Sequence, residues 1–198
     1  MNKKILIAGA NGHGKVAADI AELNGYKVIE FCDDDESIKE CVGYPVIGKT
    51  DLISDYEGDV FIAIGNPVTR ERFMKKRECV TLIHPNATVS KKAVIGSGCV
   101  LMAGAVVNSC AVIGEGSIVN TCASVDHDCV IGKYVHVSVG AHVAGTCTIG
   151  DRTWVGAGAI VNNNLSISND CMIGSGTVVI DDINEPGTYV GVPAKKIK

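Results

Sequence analysis

The stretch IGKYVHVSVGAHVAGTCTIG, residues 131–150, decides the fold of this chain. Every sixth residue in it is a branched aliphatic: Ile131, Val137, Val143 and Ile149. The same phase extends in both directions, from 83 to 179, and Ile, Val or Leu fills all 17 of its positions. A fixed hexad period is typical of a parallel β-solenoid, in which each hexad forms one short strand and one corner.

Two further phases of the hexad support this interpretation. The fourth residue after each aliphatic anchor is usually small, and the residue directly after the anchor is often Gly or Asn, which we interpret as a turn-tolerant corner position. Three hexads then form one triangular coil, and 17 hexads form nearly six coils stacked about 4.8 Å apart. An antiparallel sandwich would need a period of two and turns every 8–12 residues, so the pattern argues against it.

The N-terminal part of the chain, up to position 82, follows a different pattern, that of a small α/β domain. KKILIAGA is predicted to be a strand, and GKVAADIAELNG a helix with Val16, Ile20 and Leu23 on one face and Gly25 as its C-terminal cap. YKVIEFCDDD and DVFIAIGN are predicted to be two more strands, and VTRERFMKKR a short charged helix. This order favours a Rossmann-like parallel sheet. We interpret residues 38–49 as a surface excursion.

We therefore predict two domains and exclude several classes of protein. Residues 1–82 form the Rossmann-like domain, and 83–198 the solenoid with a tail over 181–198. A net charge of −4 and a pI near 5.7 argue against a nucleic-acid-binding protein. The N-terminal apolar run is too short for a signal peptide or membrane span. Nine cysteines without CxxC spacing argue against a disulfide framework and favour the cytoplasm, with most cysteines as small apolar fillers.

The segment SVDHDCVIG, residues 124–132, carries the main candidate for catalysis. Between 93 and 180 the chain has only seven formal charges, and two of them, Asp126 and Asp128, flank His127. A neutral imidazole suits the removal of a proton near neutral pH, and a carboxylate on its other nitrogen would fix the tautomer. Since Asp126 lies in the expected corner phase, a plain solvated turn residue is an equally good explanation for it.

Other chemistry-bearing residues leave alternatives open. His127, His136 and His142 could hold zinc only if a trimer brought them together, because the last two lie on adjacent faces of one coil. Cys129 falls in the small-residue phase and is predicted to point inward, which favours direct transfer over a covalent acyl-enzyme. GANGHG, residues 9–14, follows a strand and opens a helix, a place where phosphate or sugar groups bind. An NAD-dependent oxidoreductase is the competing interpretation, but about 80 residues leave little room for a second mononucleotide-binding half.

Across its whole length the sequence resembles the hexapeptide-repeat, left-handed β-helix acyltransferases. Within them it is similar to the bacterial nucleotide-sugar N-acetyltransferases of bacillosamine and related 4-amino-sugar pathways, which are grouped with sialic acid O-acetyltransferases. The motifs that carry this resemblance occur in the expected order: GANGHGK, FCDDD, FIAIGN, LIHPNA, HDCVIG, HVSVGAHVAG and YVGVPAKKIK. The left hand of the solenoid is implied by the resemblance alone.

The resemblance also implies roles for individual residues and an assembly. The catalytic pair is His127 as general base and Asp128 as its orienting acid. The acetyl-CoA contacts fall on His136, Gly145, Ala157, Ser175 and Lys195, the last of which could equally be part of a frayed basic tail. The nucleotide-sugar contacts fall on Asn11, Gly12, His13, Asp33, Asp34 and Gly65. The family implies a homotrimer with active sites between subunits. The placement of the histidines on different faces leads us to expect no metal.

We therefore expect an acetyl-CoA-dependent N-acetyltransferase that acts on the 4-amino group of a UDP- or dTDP-linked sugar, without nucleic-acid or membrane partners. Two alternatives remain: an O-acetyltransferase of the sialic acid type, and a non-catalytic trimeric scaffold that only binds nucleotide-sugars.

Overall fold

The computed structural model describes residues 3–198, which form two compact units that meet in sequence between Pro85 and Asn86. The first unit is an α/β domain and the second is a parallel β-solenoid. No helix within residues 3–198 has the length and apolar character needed to cross a membrane.

The first unit contains a five-stranded sheet in the order β3-β4-β2-β1-β5. Its central strand β1 pairs in parallel with both β2 and β5. The elements of this unit are β1 (Lys4–Ala8), α1 (Gly12–Leu23), β2 (Val28–Cys32), β3 (Glu40–Cys41), β4 (Tyr44–Gly48), a 3-10 helix (Thr50–Ile53), β5 (Asp59–Ile62), α2 (Pro67–Met74) and β6 (Leu82–Ile83). The predicted strand–helix–strand order is therefore present.

The surface excursion predicted for 38–49 is wrong. This segment forms the β3–β4 hairpin, and β4 joins the sheet by pairing in parallel with β2. The turn residues Val42 and Gly43 both have positive φ angles, 45° and 85°, as a two-residue hairpin turn requires. The prediction failed because a valine at the first turn position hides this signature, which Asn or Asp normally provides.

The predicted face of α1 is also wrong. Val16 and Leu23 are 38% and 55% exposed, whereas Ile20 is buried together with Ala17, Ala18 and Ala21. Alanines let the helix pack closely against the sheet because their side chains are small. The buried face of α1 is therefore recognised by small side chains and not by large apolar ones. The helix ends as expected, since Gly25, with a φ of 87°, follows the cap residue Asn24.

The second unit consists of three sheets of short strands, which pair in parallel except for the last strand, β24. Their orders are β22-β19-β16-β13-β10-β7, β20-β17-β14-β11-β8 and, within this unit, β24-β23-β21-β18-β15-β12-β9. The strands are β7 (Thr88–Val89), β8 (Val94–Ile95), β9 (Val100–Leu101), β10 (Val106–Val107), β11 (Val112–Ile113), β12 (Ile118–Val119), β13 (Ser124–Val125), β14 (Val130–Ile131), β15 (His136–Val137), β16 (His142–Val143), β17 (Thr148–Ile149), β18 (Trp154–Val155), β19 (Ile160–Val161), β20 (Ser166–Ile167), β21 (Cys171–Ile173), β22 (Val178–Val179), β23 (Gly187–Val190) and β24 (Lys195–Lys196).

The hexad anchors form the interior of the solenoid, as predicted. From β7 to β19 each strand pairs with the strand three hexads later, as in the register of Val107 with Val125 and of Val125 with Val143, so three hexads complete one coil. The 14 anchors from Leu101 to Val179 are all at most 2% exposed. The earlier anchors Ile83, Val89 and Ile95 are half-buried.

The structure corrects our interpretation of the glycine-rich phase. The left-handed corner lies three positions after each anchor, and from Gly98 to Gly176 every sixth residue has a φ between 55° and 69°. Directly after the anchor, glycine allows the backbones of two successive coils to approach closely. A Cβ built at Gly114 would lie 2.5 Å from the carbonyl carbon of Gly132 in the next coil. Asp128, with a φ of 58°, therefore holds the left-handed corner position, and Asp126 does not.

Buried hydroxyls and thiols connect successive coils. In the small-residue phase, Ser117 donates to the carbonyl of Gly132 at 2.8 Å, and Thr153 donates to that of Ser168 at 2.8 Å. Cys129 makes the same kind of contact with Ala144 at 3.1 Å, so it acts as a hydrogen-bond donor and not only as an apolar filler. These side chains bind backbone groups that the corners leave outside the strand ladders.

Thr153 provides a test of this bridging. Its hydroxyl also accepts from the backbone N–H of Cys171 at 3.1 Å, and the side chain is fully buried. Thr153→Ala leaves a donor and an acceptor without a partner, so we expect the free energy of unfolding to fall by about 1–3 kcal/mol, measured by denaturant titration. Thr153→Ser is the matched control because it keeps both bonds. An equal loss in the serine variant would assign the effect to the methyl group instead.

Candidate active site

His127 and Asp128 form a hydrogen-bonded pair at one corner of the solenoid. The imidazole Nδ1 lies 2.8 Å from Oδ2 of Asp128, and the two side chains are 57% and 58% exposed. The pair occupies the corner between β13 and β14, where the left-handed conformation of Asp128 turns the chain. With Nδ1 bound to the carboxylate, Nε2 is the ring nitrogen available to a substrate.

Asp126 binds the backbone rather than the imidazole. Its Oδ1 accepts from the N–H of His127 at 2.8 Å and from Nδ2 of Asn108, one coil earlier, at 2.6 Å. The hydrogen bond from Asn108 is the first cause that holds the pKa of Asp126 below its usual value. The two carboxylates therefore have different tasks: Asp128 orients the ring and Asp126 secures the peptide that carries it.

These surroundings raise the pKa of His127 above its ordinary value. The hydrogen bond to Asp128 contributes most and the charge of Asp126 comes next, while desolvation opposes them. A raised pKa makes the imidazole a stronger proton acceptor, although it also keeps the ring protonated to a higher pH. The geometry and the charge together fit a general base.

Two edges of the solenoid matter for the remaining predicted residues. We define the histidine edge as residues 126–129 and 144–147, and the alanine edge as residues 156–159 and 174–177. Gly145 lies on the histidine edge, whereas the exposed Ala157 and Ser175 lie on the alanine edge. Successive corners of a coil are separated by one face of the triangle. Each face is one hexad long, or about 20 Å of extended chain.

His136 lies on β15 and not beside His127. Its sheet also contains β18, the strand that leads into the alanine edge. The residue is 8% exposed; its Nε2 lies 2.9 Å from Nδ2 of Asn120, and its ring centroid lies 4.5 Å from that of Trp154. Our sequence reasoning did not identify Asn120 or Trp154. The spacing of three hexads between His136 and Trp154 could have indicated that they stack.

His142 and Lys195 complete the predictions for the second unit. The exposed His142 lies on β16, and its Nδ1 is 2.8 Å from the hydroxyl of Ser124. Lys195 is exposed on β24, which pairs in antiparallel fashion with β23, so it belongs to an ordered strand and not to a frayed tail. Within residues 3–198 no group of three or more His, Cys, Asp or Glu side chains is arranged to hold a metal.

Cys129 is fully buried beneath the corner, as predicted. The hydrogen bond with Cys147, together with burial, raises the pKa of the Cys129 thiol. A protonated thiol without solvent access is a poor nucleophile, which favours direct transfer.

In the first unit, the loop after β1 meets the end of β2. Oδ2 of Asp33 accepts from the backbone N–H of Ala10 at 2.8 Å and so secures the loop before α1. Asn11 is the N-cap residue of α1, but its side chain makes no capping bond, and both Asn11 and Gly12 are exposed. No side chain therefore caps the N-terminus of α1, and backbone donors at such a helix end are of the kind that bind phosphate and hydroxyl groups.

Asp34 and Gly65 are held from within the unit. Oδ1 of Asp34 accepts from the backbone N–H of Thr50 at 3.0 Å and from its hydroxyl at 2.7 Å, and these bonds lower the pKa of Asp34. This carboxylate anchors the 3-10 helix, a role that we had not predicted. The carbonyls of Ile64 and Gly65 both accept from the guanidinium of the buried Arg70, each at 2.8 Å.

His13 is kept neutral. Burial, followed by the charge of Arg70, lowers the pKa of His13 to about 4. Its Nε2 is buried without a hydrogen-bond partner, and its ring centroid lies 6.3 Å from that of Phe61. At neutral pH the imidazole of His13, within the segment GANGHG, is therefore uncharged.

The pKa of His127 tests the pairing with Asp128. Because that hydrogen bond is the main cause of the raised pKa, we expect Asp128→Asn to lower the pKa of His127, measured by NMR titration of the imidazole resonances. Lys133→Met, which removes a cation at the next corner of the solenoid, between β14 and β15, is the control. An unchanged pKa in Asp128→Asn would show that the pair does not form in solution.

Parts of this chain match known proteins. Residues 4–77 match the family model described as the PglD N-terminal domain. Over 112 residues the chain is 36% identical to the UDP-N-acetylbacillosamine N-acetyltransferase of Bacillus subtilis (strain 168), a match that covers 51% of this chain and 52% of that protein. The chain thus spans about half the length of this curated relative.

Two solved structures match along nearly the whole chain. The acetyltransferase domain of PglB from Neisseria gonorrhoeae FA1090 is 39% identical with a TM-score of 0.95, over 99% of this chain and 100% of that one. PerB from Caulobacter crescentus, in complex with CoA and GDP-perosamine, is 33% identical with a TM-score of 0.92, over 98% and 97%. The solenoid is therefore a left-handed β-helix, and the chain belongs to the family of hexapeptide-repeat nucleotide-sugar N-acetyltransferases.

Proposed function

We propose that this chain transfers the acetyl group of acetyl-CoA to the 4-amino group of a UDP- or dTDP-linked sugar. The observation that carries the proposal is the exposed His127–Asp128 pair, whose Nε2 faces no partner within the corner. The relatives support the reaction class, because one is named an N-acetyltransferase of UDP-N-acetylbacillosamine and another binds CoA and GDP-perosamine.

In this mechanism His127 acts as general base. Nε2 removes a proton from the amine as the C–N bond forms at the thioester carbonyl, and the carboxylate of Asp128 stabilises the imidazolium. The C–S bond then breaks, CoA leaves as thiolate, and the imidazolium can return the proton to it. Such positioned bases typically contribute about 10²–10⁴-fold to the rate.

The first unit would bind the nucleotide-sugar. Its candidate contacts lie at the carboxyl ends of the parallel strands and at the N-terminus of α1, where backbone donors meet phosphate and hydroxyl groups. We assign these contacts to Asn11, Gly12, His13, Asp33 and Gly65, with Asp34 acting through its bonds to Thr50.

The acetyl-CoA contacts imply a homotrimer. The proposed CoA residues His136, Ala157 and Ser175 belong to the alanine edge or to the sheet leading into it, while the base lies on the histidine edge. Since about 20 Å of chain separates successive corners, one subunit does not bring both sets together. Packing the histidine edge of one subunit against the alanine edge of the next would complete the site, with Gly145 and Lys195 as further CoA contacts.

Two alternatives use the same surface. O-acetylation of a sialic acid or a related sugar would need the same base and CoA groove, and a trimeric scaffold would bind nucleotide-sugars without turnover. The orientation of His127 by Asp128 favours an enzyme over a scaffold. We also place the protein in the cytoplasm, because all nine cysteines are thiols and acetyl-CoA is made inside the cell.

A substrate panel tests the proposal. Purified protein receives acetyl-CoA together with UDP-, dTDP- or GDP-linked 4-amino sugars or free sialic acid, and thiol release is followed. We expect turnover with a UDP- or dTDP-linked amino sugar, whereas turnover with the GDP-linked sugar alone would contradict the proposed nucleotide. Turnover with sialic acid alone would establish the O-acetyltransferase, and no turnover together with nucleotide-sugar binding would establish the scaffold.

The base itself is tested by His127→Ala, which should lower kcat by at least about 10²-fold without changing the oligomer. His142→Ala is the matched control, since His142 is also exposed on the solenoid but pairs only with Ser124. Activity near that of the wild type in His127→Ala would remove this residue from the mechanism.

Mixed trimers test the shared site. His127→Ala impairs the histidine edge and Ala157→Trp blocks the alanine edge, so each variant alone should be inactive. After co-refolding in equal amounts, about a quarter of the sites should combine two intact edges if subunits mix at random. Recovery near that level supports a site between subunits, while no recovery would place the whole site within one chain.

A further inference from the structure

Gly145 lies directly over the catalytic histidine in the next coil. Ser109, His127, Gly145 and Asn163 occupy equivalent corner positions, three hexads apart, and backbone bonds join their coils. The N–H of Thr146 donates to the carbonyl of His127 at 2.9 Å. Gly145 is the member of this column that has no Cβ.

The backbone does not require glycine at this position. The φ angle of Gly145 lies outside the left-handed region, and the other three members of the column carry side chains. Alanine is therefore compatible with the local conformation. The reason for glycine must lie in the surrounding atoms.

Those atoms belong to the imidazole of His127. A Cβ built at Gly145 would lie 2.7 Å from both Cε1 and Nε2 of that ring and 3.2 Å from Cδ2. By contrast, a Cβ at Gly150 would meet the backbone nitrogen of Asn169 at 2.4 Å. Gly150 thus maintains the coil, whereas Gly145 makes room for a side chain.

We propose that Gly145 is a positioning residue, whose missing side chain creates the space in which the His127 ring reaches Asp128. Its importance for catalysis rests on the proposed function, in which His127 is the base, but the positioning itself does not depend on any substrate. This role is separate from the proposed contact of Gly145 with acetyl-CoA.

The expected effect of Gly145→Ala follows from the contact distances. The imidazole would have to move by about 0.7 Å, from 2.7 Å to the 3.4 Å of ordinary contact, because a side chain yields more easily than the coil backbone. Misplacing a catalytic group by about 1 Å can cost about 10²-fold in rate. We expect kcat to fall by about 10–10²-fold.

The first experiment follows the ring without any substrate. NMR titration of His127 in Gly145→Ala should give a pKa that falls from its raised value toward the ordinary value, because the bond to Asp128 is weakened. Gly140→Ala is the control: its φ of 60° strains an alanine, but the new Cβ would meet nothing within 4 Å. An unchanged pKa in Gly145→Ala, or an equal shift in Gly140→Ala, would overturn the proposal.

A double-variant cycle covers the case in which Gly145→Ala folds poorly. In the His127→Ala background the ring is absent, so Gly145→Ala should be tolerated and should raise the Tm by about 1–4 °C through reduced freedom of the unfolded chain. With His127 present, the same substitution should lower the Tm. Equal destabilisation in both backgrounds would show that the backbone, and not the imidazole, needs glycine at this position.

These readouts separate this proposal from the proposed function. If the substrate panel gives no turnover while the titration and the Tm cycle behave as expected, Gly145 still positions His127 and only the reaction is wrong. If turnover is found but the pKa of His127 is the same in Gly145→Ala, the reaction stands and the positioning role is wrong.

Discussion

The stacking of each coil on the one before it, in a register of three hexads, is the constraint on which the second unit depends. Parallel backbone bonds maintain it, as in the pairing of β13 with β10 and β16. Residues three hexads apart therefore become direct neighbours, and polar side chains use this proximity. Arg152 donates to both oxygens of Asp170 at 2.7 Å, and Asn108 binds Asp126. Every surface of the solenoid is thus a set of vertical columns.

This register explains why the second unit could be predicted so far from its sequence. An unbroken aliphatic phase defines the interior, the strand positions and the total number of hexads. Our assignment of the corners was less successful, since glycine occurs both where φ is positive and where two coils approach closely, and a sequence does not distinguish these causes. The first unit has no repeating sequence pattern, so each of its elements had to be predicted from a single short segment. For this reason the β3–β4 hairpin and the alanine face of α1 were missed.

The candidate site divides along the same line. His127 and Asp128 are adjacent in sequence, and their pairing could be predicted from local charge together with the family resemblance. The contacts of Asn108 with Asp126 and of Asn120 with His136 connect different coils, so only the register reveals them. Asp34 shows the opposite limitation: its residue type fits a ligand contact, but tertiary structure places Thr50 against its carboxylate.

The column of anchors also restricts how this chain can change in length. Removing one residue from a strand would turn every later anchor outward until a compensating change restored the six-residue phase. Removing one whole hexad would keep the phase, but it would rotate all later corners by one face of the triangle. Only whole coils, each of three hexads, can be added or removed while the histidine edge and the alanine edge keep their faces. The length of the solenoid can therefore change only in steps of one whole coil. Such a step leaves the angle between the histidine edge and the alanine edge unchanged.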